Sequence, residues 1–202
     1  MNKICILNYG FGNTTSLHNA LTYIGYKVDF YSENKAKKYD LIFIPGVGSF
    51  QHASKILEQN EIKKFLFEIN KDSVIFGICL GMQIIFSEGD ENGVSKGLDF
   101  IKGSVKKLPN NLILPVIGWR NTNFSKKISS LNKYDNTKFY YVHSYVVKSL
   151  SEDIILSKTI YENVEYISSF QFKNYFGTQF HPEKSGENGL SFLKDVLQFY
   201  NL

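Results

Sequence analysis

The sequence predicts an α/β fold, a central and mostly parallel sheet with helices on both faces and an antiparallel addition in the second half. Three observations predict it. Short apolar runs alternate with helix-patterned segments in the first half, glycine-rich turns follow three of those runs, and the second half is a series of strands separated by short polar turns.

Each element follows in order. Lys3–Asn8 is a short apolar strand, followed by a glycine-rich turn through Gly10 and Gly12. Leu17, Ala20, Leu21 and Ile24 recur at i, i+3, i+4 and i+7, one face of a helix. Thr14, Thr15 or Ser16 would cap its start and Gly25 would end it. Lys27–Tyr31 and Asp40–Ile44 read as the second and third strands, and Pro45-Gly46-Val47-Gly48 as a turn. Ile62, Phe65, Leu66 and Ile69 mark a further helix. Val74–Ile78 is a wholly apolar strand, and Leu80–Ser87 reads as the helix after it. The later strands are Leu112–Ile117, Lys138–Lys148, Asp153–Thr159, Val164–Gln171 and Tyr175–Gln179, and a last helix spans Glu187–Tyr200. In such a sheet, sites form beyond the carboxyl ends of the strands, so the turns at 10–12, 46–48 and 77–81 should converge on one edge.

Composition narrows the class. A chain of 202 residues suits one domain over 1–202. With 43% hydrophobic and 21% charged residues it reads as an ordinary globular protein, and no stretch nears the ~20 apolar residues of a membrane helix. The opening apolar run is too short for a signal peptide, so a cytoplasmic protein is expected. The net charge of +4 comes almost entirely from scattered lysines, with short clusters at Lys35, Lys37 and Lys38 and at Lys126 and Lys127. A nucleic-acid surface needs a concentrated basic stripe, which this sequence lacks. Two cysteines, Cys5 and Cys79, make no disulfide framework for this length. No His, Cys, Asp and Glu set has metal-ligand spacing, so neither metal nor other cofactor is expected.

Cys79 stands apart from Cys5, which sits in an apolar strand. Gly77-Ile78-Cys79-Leu80-Gly81 joins a strand to a helix with small residues two before and two after the cysteine. That is the logic of a nucleophile elbow, where the side chain projects above the sheet at a helix N-terminus that favours a thiolate. Alone, the pattern also fits a small buried cysteine at a tight turn. Gln179-Phe180-His181-Pro182-Glu183 adds a base and an orienting carboxylate after another strand. Alone, that stretch also fits an exposed turn. Among the other histidines, His18 reads as a surface helix residue, His52 as structural or solvent-facing, and His143 as a strand-end structural residue.

Together these stretches resemble the class I (triad) glutamine amidotransferases, whose flavodoxin-like fold the element order matches. Within the family the chain is most similar to glutaminase subunits of imidazole glycerol phosphate synthase, through Asn8–Asn13, Pro45–Phe50, Phe139–Tyr145 and His181–Gly186. The resemblance implies that Cys79 attacks the glutamine side-chain carbonyl, that His181 serves as base and acid, and that Glu183 orients it. It implies an oxyanion site from Gly46, Val47, Gly48 and the Leu80 N–H, and substrate binding by Gln83, Ser144 and Tyr145. It implies a heterodimer with a (β/α)8-barrel cyclase that receives ammonia, with Tyr9, Gly10, Asn13, Trp119, Arg120 and Lys184 at the interface. The chain departs from the family at Pro115–Arg120, where Val116 replaces a histidine and Arg120 an asparagine. That departure leaves open a paralogous role, supplying ammonia to amidate a nucleotide-linked surface sugar. A cysteine peptidase of related fold is disfavoured because Leu80, not histidine, follows the nucleophile. A catalytically silent interaction subunit is disfavoured by the intact triad.

Overall fold

The computed structural model describes residues 3–10, 12–31, 38–59, 62–69, 71–148 and 150–202. Phe11 of the first glycine turn, and Lys35 and Lys37 of the first lysine cluster, lie outside them.

The core is a nine-stranded mixed sheet. Its parallel part comprises β1 (Ile4–Ile6), β2 (Val28–Phe30), β3 (Leu41–Gly46), β4 (Val74–Cys79) and β13 (Tyr175–Thr178), in the order β2-β1-β3-β4-β13. Antiparallel pairing then continues through β12 (Val164–Phe172), β11 (Ile155–Tyr161), β8 (Val116–Phe124) and β9 (Thr137–His143). The chain's last strand, β13, is thus the junction between the two halves.

The central strands read as unbroken apolar runs because both sheet faces are covered. Along each strand, alternate residues enter opposite cores. Ile4, Ile6, Leu41, Phe43, Phe76 and Phe176 pack with α1 (Thr14–Tyr23) and α5 (Gly186–Phe199) through Leu17, Leu21, Phe192 and Leu193. Cys5, Leu7, Ile42, Ile44 and Ile75 pack on the other face with α2 (Phe50–Gln59) and α3 (Ile62–Ile69) through Phe50, Leu57 and Leu66. Each fully buried Phe or Leu contributes roughly 1.5–3 kcal/mol.

Several sequence expectations need correction. The α1 cap is Asn13, whose Oδ1 accepts from the Ser16 N–H at 3.0 Å, rather than Thr14, Thr15 or Ser16. The helix after the cysteine is only α4 (Leu80–Ile84), and the chain then extends into β5 (Phe86–Asp90). With β6 (Val94–Lys96), β7 (Ile101–Lys107) and β10 (Tyr145–Lys148), β5 forms a second, four-stranded sheet in the order β10-β7-β5-β6. The expected strand over Lys138–Lys148 therefore breaks at Ser144, with β9 in the large sheet and β10 in the small one. The expected strand at Leu112–Ile117 begins only at Val116 and runs to Phe124. Helix α2 was not anticipated.

Among the described residues, no helix is long and apolar enough to cross a membrane.

Candidate active site

Register builds the site. Gly46 at the end of β3 pairs with Cys79 at the end of β4. Thr178 at the end of β13 pairs with Ile78, so Gln179 comes level with Cys79. The turns after β1, β3, β4 and β13 thereby meet at one sheet edge, as the strand-end rule requires.

Cys79 has φ of 55° and ψ of −110°, a left-handed-side conformation costly for a residue with a Cβ. The surrounding glycines allow it. A Cβ on Gly77 would stand 2.6 Å from the Met82 Cα, and one on Gly81 would overlap the Ile44 carbonyl. A Cβ on Gly46 would lie 2.8 Å from the Leu80 Cβ, so the turn after β3 rests directly on the start of α4. Gly48, with φ of 115°, completes that turn beside exposed Val47.

His181 Nδ1 lies 2.8 Å from Glu183 Oε1, with both side chains at most 4% exposed. The main chain there is clamped: the His181 N–H donates to the Tyr140 carbonyl at 2.9 Å, and the Ser185 hydroxyl donates to the His181 carbonyl at 2.6 Å. Nε2 is buried and makes no well-formed hydrogen bond among the described residues, and the Cys79 sulfur is its charged neighbour. Burial alone would lower the His181 pKa. The Cys79 charge and the Glu183 carboxylate outweigh burial and push it up to about 10. The raised value favours an imidazolium next to the Cys79 sulfur, the pairing that a cysteine nucleophile uses.

Cys79 and Gln83 line a cavity of about 180 Å³ together with Val47, Gly48, Leu80, Glu91, Val142, His143, Ser144 and Tyr145. Every expected substrate-binding residue except Gly46 lines it, and Gly46 forms the turn beneath. The carbonyls of Ser144 and Tyr145 already serve the frame: Ser144 O accepts from the Leu108 N–H at 2.9 Å, and Tyr145 O from Gln83 Nε2 at 2.9 Å. The sequence reading missed Glu91. It follows β5 in an Asp90-Glu91-Asn92-Gly93 turn, and its carboxylate accepts from the Phe50 N–H at 2.6 Å. An acidic turn close behind the cysteine helix was the available signal. His143 is buried, and its Nδ1 meets Tyr145 O at 3.1 Å. Burial, reinforced by His181, lowers its pKa to about 3 against the opposing pull of that carbonyl, so the ring is neutral.

The six expected interface residues do not share one surface. Gly10 and Lys184 are exposed, as is Trp119, which packs edge-on against Tyr140 and lies 3.9 Å from a Cβ position on Gly186. Asn13 is half-buried and caps α1. Tyr9 is buried beneath the Gly46 turn, where burial and the Cys79 charge raise its pKa. Arg120 is half-buried. Strand alternation puts it on the opposite face of β8 from Trp119. Its guanidinium folds back to donate to the Trp119 and Ile117 carbonyls at 2.8 and 3.0 Å and lies over the Tyr161 ring. Val116 is fully buried and pairs with His143 across β8 and β9. Among the described residues, no group of three His, Cys, Asp or Glu side chains is placed to hold a metal.

Comparisons with known proteins place the chain in a family. The family described as glutamine amidotransferase class-I matches residues 5–198. The imidazole glycerol phosphate synthase subunit HisH of Sulfolobus acidocaldarius is 40% identical over 198 residues, covering 98% of both chains. That of Pyrococcus furiosus is 41% identical over 198 residues, covering 96% of this chain and 98% of its own. Among solved structures, a putative GMP synthase subunit from Thermoplasma acidophilum superposes with a TM-score of 0.75 at 18% identity, covering 100% of this chain and 94% of its own. PurLQS from Thermotoga maritima reaches 0.74 at 16% identity, with 98% of each chain covered. With the strained cysteine, the clamped histidine–carboxylate pair and a matching family over nearly the whole length, the chain belongs to the class I glutamine amidotransferases.

Proposed function

We propose that residues 1–202 act as one glutaminase unit, hydrolysing glutamine and passing the ammonia to a (β/α)8-barrel cyclase. The pair would form imidazole glycerol phosphate and AICAR in cytoplasmic histidine biosynthesis. The observation that carries the chemistry is Cys79 in its strained elbow, with the buried His181–Glu183 pair on the same sheet edge. The pathway rests on similarity to the HisH subunits, which extends over nearly the full length of each chain.

In this reading, Glu91 and Gln83 receive the α-ammonium end of glutamine and its side-chain amide reaches Cys79. The thiolate attacks the amide carbon, and the N–H groups of the Gly46–Gly48 turn and of Leu80 stabilise the oxyanion. One such donor is worth roughly 3–4 kcal/mol in the transition state. His181 Nε2–H then protonates the amide nitrogen, the C–N bond breaks and ammonia leaves a γ-glutamyl thioester. Water adds to the thioester as Nε2 takes its proton, the C–S bond breaks, and glutamate and the thiolate are released. Glu183 fixes the ring so that Nε2 faces the sulfur throughout.

Val116 and Arg120 motivated a sugar-amidating alternative. Val116 lies in the core and Arg120 is turned onto its own strand's carbonyls, so neither side chain is presented on the Trp119 face. The test is glutamate release from glutamine by the purified chain mixed with a barrel cyclase of histidine biosynthesis, with Cys79→Ser as control. Release that depends on Cys79 and rises with the cyclase is expected. No release with the cyclase would overturn the proposal.

A further inference from the structure

Gln179 is fully buried and lies beyond β13 at the level of Cys79. Its own N–H donates to the Ser168 carbonyl at 2.8 Å, which fixes the main chain there. Its side chain lies in a line of amides whose directions are forced. The Tyr145 carbonyl can only accept, so Gln83 must turn its NH2 toward it, and does so at 2.9 Å. The second Gln83 N–H then needs an acceptor and finds Gln179 Oε1 at 3.0 Å. Gln179 is left with its NH2 directed at the Cys79 sulfur, 3.6 Å away.

Besides His181, the sulfur has two competing neighbours. The Val142 carbonyl, at 3.7 Å, accepts from a thiol S–H and repels a thiolate. The Gln179 N–H favours the thiolate, because hydrogen bonds to ionised groups are roughly twice as strong as neutral ones. We infer that Gln179 is a positioning residue for the nucleophile: anchored through Gln83 to the Tyr145 carbonyl, it holds the Cys79 sulfur as a thiolate and sets where that sulfur stands over the cavity. The same line of amides joins the cavity wall to the reacting atom, since Gln83 and Tyr145 both line the cavity. This inference rests on Cys79 being the nucleophile of the proposed reaction.

Alkylation tests it without any partner or glutamine. The rate of iodoacetamide labelling of the purified full chain is followed against pH, with Cys79→Ser subtracted to remove labelling of buried Cys5. The other titratable groups around the sulfur are Tyr9 beyond β1, His181 backed by Glu183 beyond β13, His143 at the end of β9, and Glu91 on the cavity wall, and all are kept unchanged. Gln179→Glu retains size and the acceptor for Gln83 but loses the donor, and Gln179→Met loses both. Each variant should move the labelling midpoint up by about one pH unit or more and slow labelling at neutral pH about tenfold. In the assembled enzyme kcat should fall by a similar factor with KM nearly unchanged. If a variant with wild-type thermal melting shows a labelling profile that overlays wild type, the inference is overturned, even where wild type hydrolyses glutamine. A shifted profile in a protein that releases no glutamate would support Gln179's role while defeating the functional proposal.

Discussion

Gly81 is pressed against the carbonyl of Ile44: a Cβ on the first would overlap the oxygen of the second. That contact lets α4 start directly over β3 and holds Cys79 in its positive-φ conformation. Gly81→Ala must push backbone against backbone, and neither side can yield as a flexible side chain would. We expect a loss of about 3 kcal/mol or more, at the upper end of overpacking costs, read from urea unfolding. Wild-type stability in Gly81→Ala would show that the elbow is not held by this contact.

The His181–Glu183 pair makes a pH prediction. The His181 pKa is raised above its ordinary 6.5 to about 10 in the folded chain, so its contribution to stability is fully present below pH 6.5. It is lost as pH rises through about 10. Glu183→Gln removes one cause of the raised value. The stability advantage of wild type over Glu183→Gln, measured by urea unfolding at successive pH values, should therefore be large at about pH 6.5 and shrink as pH rises toward 10. By NMR, the His181 ring should titrate well above 6.5 in wild type and lower in the variant, while His143 stays neutral down to about pH 3. Glutaminase turnover should fall on the order of a hundredfold or more, because the ring loses its orienting carboxylate.

A buried hydroxyl network yields a purely structural prediction. Tyr141 OH lies 2.6 Å from Thr122 Oγ1 and 2.8 Å from Thr159 Oγ1, and Ser168 donates to Thr159 at 2.7 Å. All four residues are fully buried. Tyr141→Phe keeps the ring but takes one partner from each threonine. Thr122 and Thr159 still reach each other at 3.3 Å, so the loss should be about 1 kcal/mol, the low end for an orphaned buried group. Denaturant unfolding with an unchanged m-value would check it.

The parallel half was legible because strands covered on both faces leave an unmistakable mark: Leu41–Ile44 and Val74–Ile78 are solid apolar runs before glycine turns. Cys79, His181 and Glu183 were legible because elbow and pair are local patterns. The second sheet was not, since its strands are short and partly exposed, as in Val94–Lys96, and lack a clean alternation. Helix α2 did carry a signal, with Phe50, Ala53 and Leu57 at helical spacing, but the preceding glycine turn masked where it began. That the Tyr9 ring is buried was not legible, because sequence does not tell which side of a turn a ring falls on. Gln179 and Glu91 depend on register and on a turn from the second sheet, and neither relation is visible along the chain.

Trp119 supplies the test of docking. It is 46% exposed on β8, beside the edge strand β9 of the large sheet, where it packs edge-on against Tyr140 and approaches Gly186, and Lys184 is exposed on the segment just before. A large aromatic left this open contributes little to its own chain's stability, whereas aromatics of this kind dominate interfaces once a partner covers them. Trp119→Ala should thus leave the melting temperature of the isolated chain within about 2 °C, as expected of a surface change far below 1 kcal/mol. Its affinity for the cyclase, measured by calorimetric titration, should fall by about 2 kcal/mol or more, the range of an interface hot spot. Arg120→Asn, on the opposite face of β8, should change that affinity by less than about 0.5 kcal/mol. Equal losses from the two variants would show that the partner grips both faces of the strand, and an unaffected Trp119→Ala would place the docking surface elsewhere.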